Sequence, residues 1–267
     1  MKIGFIGAGN MGGAILRGYL TTTNINREDV FVSEQNQEKA EQLKAELGIT
    51  PAKDIAELVA LCDVILLGVK PNNFETVLPL IAEKYSTDKV LVSMAAGIEM
   101  SFIEKYLGAE AKIVRIMPNT PAMVNEAMVA VCRNANVSDE EFAPVFHIFK
   151  AIGKAEEVPE SLIHCVIGVS GSSPAYTYMY IDALAEAAVK NGMAKEQAII
   201  FAAQSVLGAA KMVLETGVDP VQLRINVCSP GGATIEAVTI LQQNGFEKNI
   251  AEGFQAAVEK SKMMTKN

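Results

Sequence analysis

The sequence predicts an α/β N-terminal domain built on a mostly parallel sheet, followed by an all-α C-terminal domain. Three observations predict it. Short apolar runs alternate with helix-patterned stretches through the first half of the chain. A glycine cluster, Gly7-Ala8-Gly9-Asn10-Met11-Gly12, stands between the first apolar run and the first helix pattern. Beyond Val158 no strand pattern appears, and helix patterns succeed one another to the end. The boundary is therefore drawn between residues 157 and 158, giving domains 1–157 and 158–267.

The predicted strands are 2–6, 30–33, 64–68, 90–93, 113–117 and 128–132. Helix patterns fill 12–20, 36–47, 54–61, 72–84 and 100–107. This β-α-β-α order implies parallel strands with helices on both faces of the sheet. The uniformly apolar Val64-Ile65-Leu66-Leu67 and Val90-Leu91-Val92 suit central strands buried on both sides. In the second half, Ser173 followed by Pro174 is a cap and first-turn signal, and Gly192 is a stop. The next helix covers 195–216 and ends at Gly217. A short one covers 221–227. Another begins near Pro230-Gly231-Gly232 and ends at Gly245, and the last occupies 247–264.

The chain has 267 residues, half of them hydrophobic, enough for one large or two modest cores. Its net charge is −8 with no basic run, which argues against nucleic acid or an anionic membrane as partner. The N-terminal apolar stretch is too short for a signal peptide and runs into the glycine cluster. No segment is read as long and apolar enough to span a bilayer. Cys62, Cys132, Cys165 and Cys228 are scattered without a CxxC pair, which fits reduced thiols in a cytoplasmic protein. With only His147 and His164, and no Cys/His cluster, no metal site is expected.

Two predicted helices have little polar surface. Residues 175–189 carry only Asp182 and Glu186 as acids, and residues 199–210 carry no charge. A helix apolar on most sides must be buried on most sides. The C-terminal domain is too small to hide both, so they are expected to pack against a second copy of the chain, as a homodimer. Burial against the N-terminal domain is the alternative.

Strand, G-x-G-x-x-G, helix is the arrangement that binds a dinucleotide pyrophosphate in a Rossmann-type domain. Gly7 permits a tight turn, Gly9 lets backbone approach the phosphates, and Gly12 lets the helix pack near the strand. Ala8, Asn10 and Met11 complete this cofactor loop, whose phosphates sit on free N–H groups at a helix N-terminus. Three further segments follow strands at the same edge of the sheet: Ser33-Glu34, Val69-Lys70-Pro71 and Ala95-Ala96-Gly97. The last two suit a nicotinamide ribose and ring. Lys70 is read as a turn residue rather than a catalytic one. Glu34 stands about twenty residues beyond the glycine loop, where a carboxylate accepts from the adenosine ribose and repels a 2′-phosphate. No Arg stands beside it, so NADH is favoured over NADPH, although Ser33, Gln35 and Asn36 could bond a phosphate weakly.

A second anion site is read in Asn226-Val227-Cys228-Ser229-Pro230-Gly231-Gly232-Ala233-Thr234, which leads into a helix. Gly231 and Gly232 bare the backbone, first-turn N–H groups lack partners, and Thr234 adds a hydroxyl, so a small carboxylate fits. Val169-Ser170-Gly171-Ser172-Ser173-Pro174-Ala175-Tyr176 reads as a hinge or close-packing point. Asn119 and Thr120, in the loop after the fifth strand, are polar groups on the cofactor side.

Together these segments, with Met117-Pro118-Asn119-Thr120-Pro121, resemble the pyrroline-5-carboxylate reductases over nearly the whole chain. The SPGGAT and SGSSPAY stretches are the most specific part. The resemblance implies NAD(P)H-dependent reduction of 1-pyrroline-5-carboxylate to L-proline, the last step of proline synthesis. It implies a homodimer through the C-terminal domain, which becomes a dimerisation domain, and assembly into larger rings of dimers. It also implies that Asn226 meets the cofactor and that Glu160, Val227, Gly231, Gly232, Ala233 and Thr234 surround the substrate. Glu34 departs from family members using NADPH, which tend to have a small hydroxyl residue there. Thr234 is the candidate for a hydrogen bond to the ring nitrogen, as donor or acceptor. If the substrate enters as an iminium, no strong side-chain acid is required, and Glu160 would favour its charge. Two other readings share the layout. A β-hydroxyacid dehydrogenase would carry a GxGxxxK pattern on the first helix of its second domain, where this chain has only Lys190-Asn191 late in the helix. A nicotinamide-sensing module would need no second anion site.

Overall fold

The computed structural model describes residues 1–265. The chain divides into two compact units, Met1–Gly171 with the C-terminal stretch from Ala257, and Ser172–Ala256. In the first unit β1 (Ile3–Ile6) leads into α1 (Asn10–Thr22), β2 (Val30–Ser33) into α2 (Gln37–Leu47), and β3 (Thr50–Pro51) into α3 (Ile55–Leu61). Then follow β4 (Val64–Leu67), α4 (Phe74–Ala82), β5 (Val90–Ser93), α5 (Met100–Leu107), β6 (Lys112–Met117), β7 (Ala127–Arg133), α6 (Asp139–Lys150), β8 (Gly153–Glu157) and α7 (Ile163–Val166). Among the described residues these strands form one sheet in the order β3-β2-β1-β4-β5-β6-β7-β8. All neighbours are parallel except β6 and β7.

Period-two alternation explains how both faces are covered. Ile3, Phe5, Val64, Leu66, Val90 and Val92 pack on one face with Ile15 and Leu16 of α1, Leu43 of α2 and Phe142, Val145 and Phe149 of α6. Ile6, Ile65, Leu67, Leu91 and Ile113 pack on the other with Leu58 of α3, Phe74 and Leu78 of α4 and Ile103 of α5. β7 runs antiparallel because only a short turn, Thr120–Val124, joins it to β6, and a parallel return needs a longer crossover.

Three elements of this unit, β3, β8 and α6, are not among those predicted from the sequence. β3 is two residues at a sheet edge, where Pro51 costs no ladder bond. β8 is the opposite edge, reading Gly-Lys-Ala-Glu-Glu with only Ala155 buried, and its charges discourage further pairing. α6 does have a signal: Ser138 Oγ accepts from Glu141 N and Glu141 closes a capping box back to Ser138 N. Pro144 interrupts its apolar spacing. After α7 the chain makes a π-turn over Ile167–Gly171.

The second unit is helical: α8 (Ser173–Lys190), α9 (Lys195–Thr216), α10 (Pro220–Val227), α11 (Ala233–Gln243) and the first part of α12 (Phe246–Met263). Gly217 ends α9 in the left-handed conformation as expected of a stop residue. In the single chain α8 and α9 are far from buried. Met179 is 72% exposed, Ile200 66% and Phe201 61%. One expectation is corrected here. α9 is, by length and composition, long and apolar enough to cross a membrane, with a mean hydropathy of 1.5 over its best window. Its charges sit near the ends, at Lys195, Glu196, Lys211 and Glu215, and the middle is broken only by small and amide side chains.

Candidate functional site

In the first unit, the residues singled out in the sequence converge on the C-terminal ends of the parallel strands. Strand order reverses at β1, which lies between β2 and β4, and such a switch point is where an open α/β sheet binds ligand. Gly7 follows β1 at φ +83°, a left-handed conformation that leaves the loop without strain only as glycine. A Cβ on Gly12 would lie 2.7 Å from the Gly7 carbonyl oxygen. Gly68, directly after β4, is tighter still at 2.2 Å from the same oxygen. Gly9 is the N-cap of α1, makes no side-chain cap bond, and the first turn holds no acidic residue. The N–H groups of the first turn are thus free for an anion. By contrast Asn36, Asp54, Ser138 and Asp219 close their own helices with side chains.

A cavity of about 690 Å³ opens beside this loop, lined by Ala8, Gly9, Asn10, Arg17, Lys39 and Glu46 among others. Its size suits part of a dinucleotide. Glu34 follows β2 and is held in place: its Oε2 accepts from Ala8 N at 3.2 Å and from Lys39 Nζ. Lys39 is the cation that sequence reading overlooked beside Glu34, because it sits a turn further on, in α2. Ser33 ends β2, pairing with Ile6. Val69 and Lys70 follow Gly68, and Pro71 opens a 3-10 turn. Ala95 and Gly97 are buried after β5 and Ala96 is partly so. Asn119 ties loops together, its Nδ2 donating to Ser170 O at 3.0 Å and its Oδ1 accepting from Met128 N at 2.9 Å.

Glu160 lies in the first unit, in a 3-10 turn after β8. Its Oε1 accepts from Arg115 Nη1 at 2.7 Å and from Met100 N, at the start of α5, at 2.9 Å. Arg115 is 1% exposed, and its Nε and Nη2 have no partner among the described residues. An Arg inside the otherwise apolar run 113–117 of β6 is the sequence signal for such a carboxylate. The residue 45 positions away had none. Beside this pair, burial and the Glu160 charge push the Cys132 thiol up to about 12, so it is no nucleophile at neutral pH.

His164 of α7 contacts the end of the chain, its Nδ1 2.8 Å from Ser261 Oγ. Burial lowers its pKa below the usual imidazole value, and Arg115 adds to the effect. The unfolded chain therefore takes up this proton at a higher pH than the folded one. The stability that His164 contributes is complete above about pH 6.5 and is lost as pH falls from there towards the lowered folded value. Thermal melts from about pH 8 to about pH 5 are expected to decline less steeply for His164→Asn than for the natural chain. Equal slopes would refute this.

In the second unit, Asn226 and Val227 end α10, and Asn226 Oδ1 accepts from Gln222 Nε2 at 2.8 Å. Gly231 adopts φ +69°, and Gly232 is the N-cap of α11 without a side-chain cap bond. Ala233 and Thr234 are the first two residues of that helix, and both are exposed. The turn is thus a second bared helix N-terminus, with Glu236 in its first turn.

The chain is similar to known proteins over its whole length. Residues 160–264 match the family model described as pyrroline-5-carboxylate reductase dimerisation, and residues 2–97 match that of the coenzyme F420-dependent NADP oxidoreductases. The chain is 45% identical to pyrroline-5-carboxylate reductase of Escherichia coli strain K12, over 100% of this chain and 99% of that one. A solved pyrroline-5-carboxylate reductase from Coxiella burnetii superposes with TM-score 0.94 at 33% identity, covering 100% of this chain and 99% of the other. The Plasmodium falciparum enzyme, solved with NADP bound, superposes with TM-score 0.88 at 33% identity, covering 100% and 98%.

Proposed function

The chain belongs to the pyrroline-5-carboxylate reductase family, and from that premise we propose how its residues serve the reaction. It is an oxidoreductase that reduces 1-pyrroline-5-carboxylate to L-proline with NADPH or NADH. The observation that carries the reading is the bared N-terminus of α1 at the switch point, where neither Gly12 nor Gly68 leaves room for a Cβ and Gly7 is left-handed. That cradle fits a pyrophosphate. When bound, the reduced nicotinamide supplies the hydride for the imine carbon.

The protein's own part is binding and orientation. Residues 7–12 hold the pyrophosphate, Ser33 and Glu34 the adenosine ribose, and Val69, Lys70, Pro71, Ala95, Ala96 and Gly97 line the nicotinamide end. Asn119 and Asn226 complete the cofactor set. The N-terminus of α11, with Gly231, Gly232 and Ala233, anchors the substrate carboxylate beside Val227. Thr234 bonds the ring nitrogen. Glu160 favours the cationic ring by its charge, although its Oε1 already serves Arg115 and Met100 N. A substrate entering as an iminium carries its own proton, so no strong acid side chain is required.

Thr234→Ala is expected to lower kcat/KM by about 1–3 kcal/mol, the loss of a hydrogen-bond partner in the transition state. Steady-state oxidation of NADPH and NADH with 1-pyrroline-5-carboxylate measures it. Unchanged kinetics in a folded variant would remove Thr234 from the mechanism, and no turnover in the natural chain would remove the reading.

We keep the line between a cofactor domain and a dimerisation and substrate domain at residue 158, supported by the family match that opens at residue 160, although the stretch up to Gly171 packs with the first unit. The exposed faces of α8 and α9 are covered by a second copy, which accounts for an apolar α9 without a membrane. We place the protein in the cytoplasm, as a homodimer that assembles into a ring of dimers. Sedimentation in detergent-free buffer should give a multiple of the 28.6 kDa chain.

A further inference from the structure

The strongest unexplained arrangement is the ion pair at the edge of the cofactor cavity. Two cations line that cavity. Arg17 is engaged by Glu46 in a two-point pair, with both contacts at 2.9 Å. Lys39 is engaged by Glu34, the same carboxylate that a ribose 2′-hydroxyl would use. Lys39 is also fixed at its backbone, since Asn36 Oδ1 accepts from its N–H at 3.1 Å at the start of α2. Its ammonium is therefore anchored within side-chain reach of Glu34, and it lines the cavity with Ala8, Gly9 and Asn10. The carboxylate is mostly buried and is held from a second side by Ala8 N.

We propose that Glu34 and Lys39 act together as the determinant of cofactor choice: Lys39 is a 2′-phosphate-binding cation that Glu34 keeps occupied. The inference rests on the dinucleotide reading above. With NADH, Glu34 accepts from the ribose hydroxyl while Lys39 neutralises it, so the carboxylate stays charged next to the ligand without a net anion in the cavity. With NADPH, a phosphate carrying about −2 charge meets a carboxylate and a cation already paired to it. Removing Glu34 does two things at once. It deletes the repulsion, and it frees an ammonium that lines the same cavity as Ala8, Gly9 and Asn10 of the phosphate cradle. Removing Lys39 alone leaves the carboxylate unpaired, which worsens NADPH and spares NADH.

The test is calorimetric binding to the apo-protein, with NADH, NADPH and 2′-AMP as probes, so no turnover enters the measurement. The natural chain should bind NADH more tightly than NADPH. Glu34→Ser should tighten NADPH and 2′-AMP by about tenfold or more, as for one gained charge-assisted contact. In the double variant Glu34→Ser with Lys39→Met, most of that gain should vanish, and the salt dependence of 2′-AMP binding should weaken with it. The thermal melt of each variant reports that the fold is intact, while NADH affinity should fall in both, since each lacks the carboxylate that accepts from the ribose hydroxyl. A double variant that keeps the full gain would overturn the role of Lys39, as would a Glu34→Ser variant with no gain. Either result leaves the dinucleotide reading standing. Failure of every variant and of the natural chain to bind NADH or NADPH would overturn both.

Discussion

Gly68→Ala is expected to weaken dinucleotide binding roughly ten- to a hundredfold, the range set by about 1–3 kcal/mol of overpacking strain. The added methyl carbon would lie 2.2 Å from the Gly7 carbonyl oxygen and 3.2 Å from the carbonyl carbon. Neither is the end of a flexible side chain. Relief requires a shift of the loop between β1 and α1, or of the end of β4 against it. Both movements change where the free N–H groups of α1 point, and a phosphate senses such a change directly. Calorimetry with NADH on the apo-protein reads the loss, and far-UV circular dichroism checks that the sheet persists. Gly9→Ala separates the two reasons a glycine can be required. Its Cβ would meet no protein atom within 4 Å. That variant should fold with unchanged stability and still bind poorly, because only the ligand would clash. If Gly68→Ala binds like the natural chain, the crowding around Gly7 has no functional weight.

Glu160→Ala is expected to destabilise the first unit by about 3 kcal/mol, because it strands a buried guanidinium. Arg115 has one ionic partner, at 2.7 Å, and two further nitrogens without any among the described residues. The same deletion strips the acceptor from Met100 N at the head of α5. A fall in Tm of roughly 6 °C or more should follow for a unit of this size. Glu160→Gln keeps an acceptor for both donors and should lose less. Arg115→Met combined with Glu160→Leu removes both charges and should recover most of the loss, apart from the cap on α5. Equal melts for Glu160→Ala and the natural chain would show that Arg115 finds another partner.

The sequence carried the parts of the fold that depend on local pattern. Apolar runs of four residues marked β1, β2, β4 and β5 to within a residue. Pro174 and Gly217 marked helix ends because a first-turn proline and a left-handed glycine are local requirements, but Ser173 is the first helical residue rather than the cap, which is Ser172 and makes no side-chain cap bond. What it did not carry depends on partners distant in the chain. β8 is a strand because β7 offers it a ladder, not because its own charged residues favour one. The direction of β7 follows from the length of its connection to β6. The glycine loop between β1 and α1 was legible because its backbone requirements are compressed into six residues. Lys39 escaped because its role depends on a helix turn bringing its ammonium back to Glu34. The pairing of Arg115 with Glu160 escaped because it joins the centre of the sheet to a turn 45 residues later.

The chain's last helix has a consequence for biosynthesis. α12 begins in the second unit, but from Ala257 onward the chain belongs to the first. There Ser261 meets His164, and the backbone of Met264 lies so close over Gly97 that a Cβ there would stand 2.5 Å from its carbonyl oxygen. The loop expected to carry the nicotinamide end is thus covered by a segment more than 160 residues further along the chain. Vectorial synthesis can build the sheet early, but it cannot complete this unit before α12 has been made. A nascent chain arrested after Gly171 should be more sensitive to protease around residues 95–97 than the released protein.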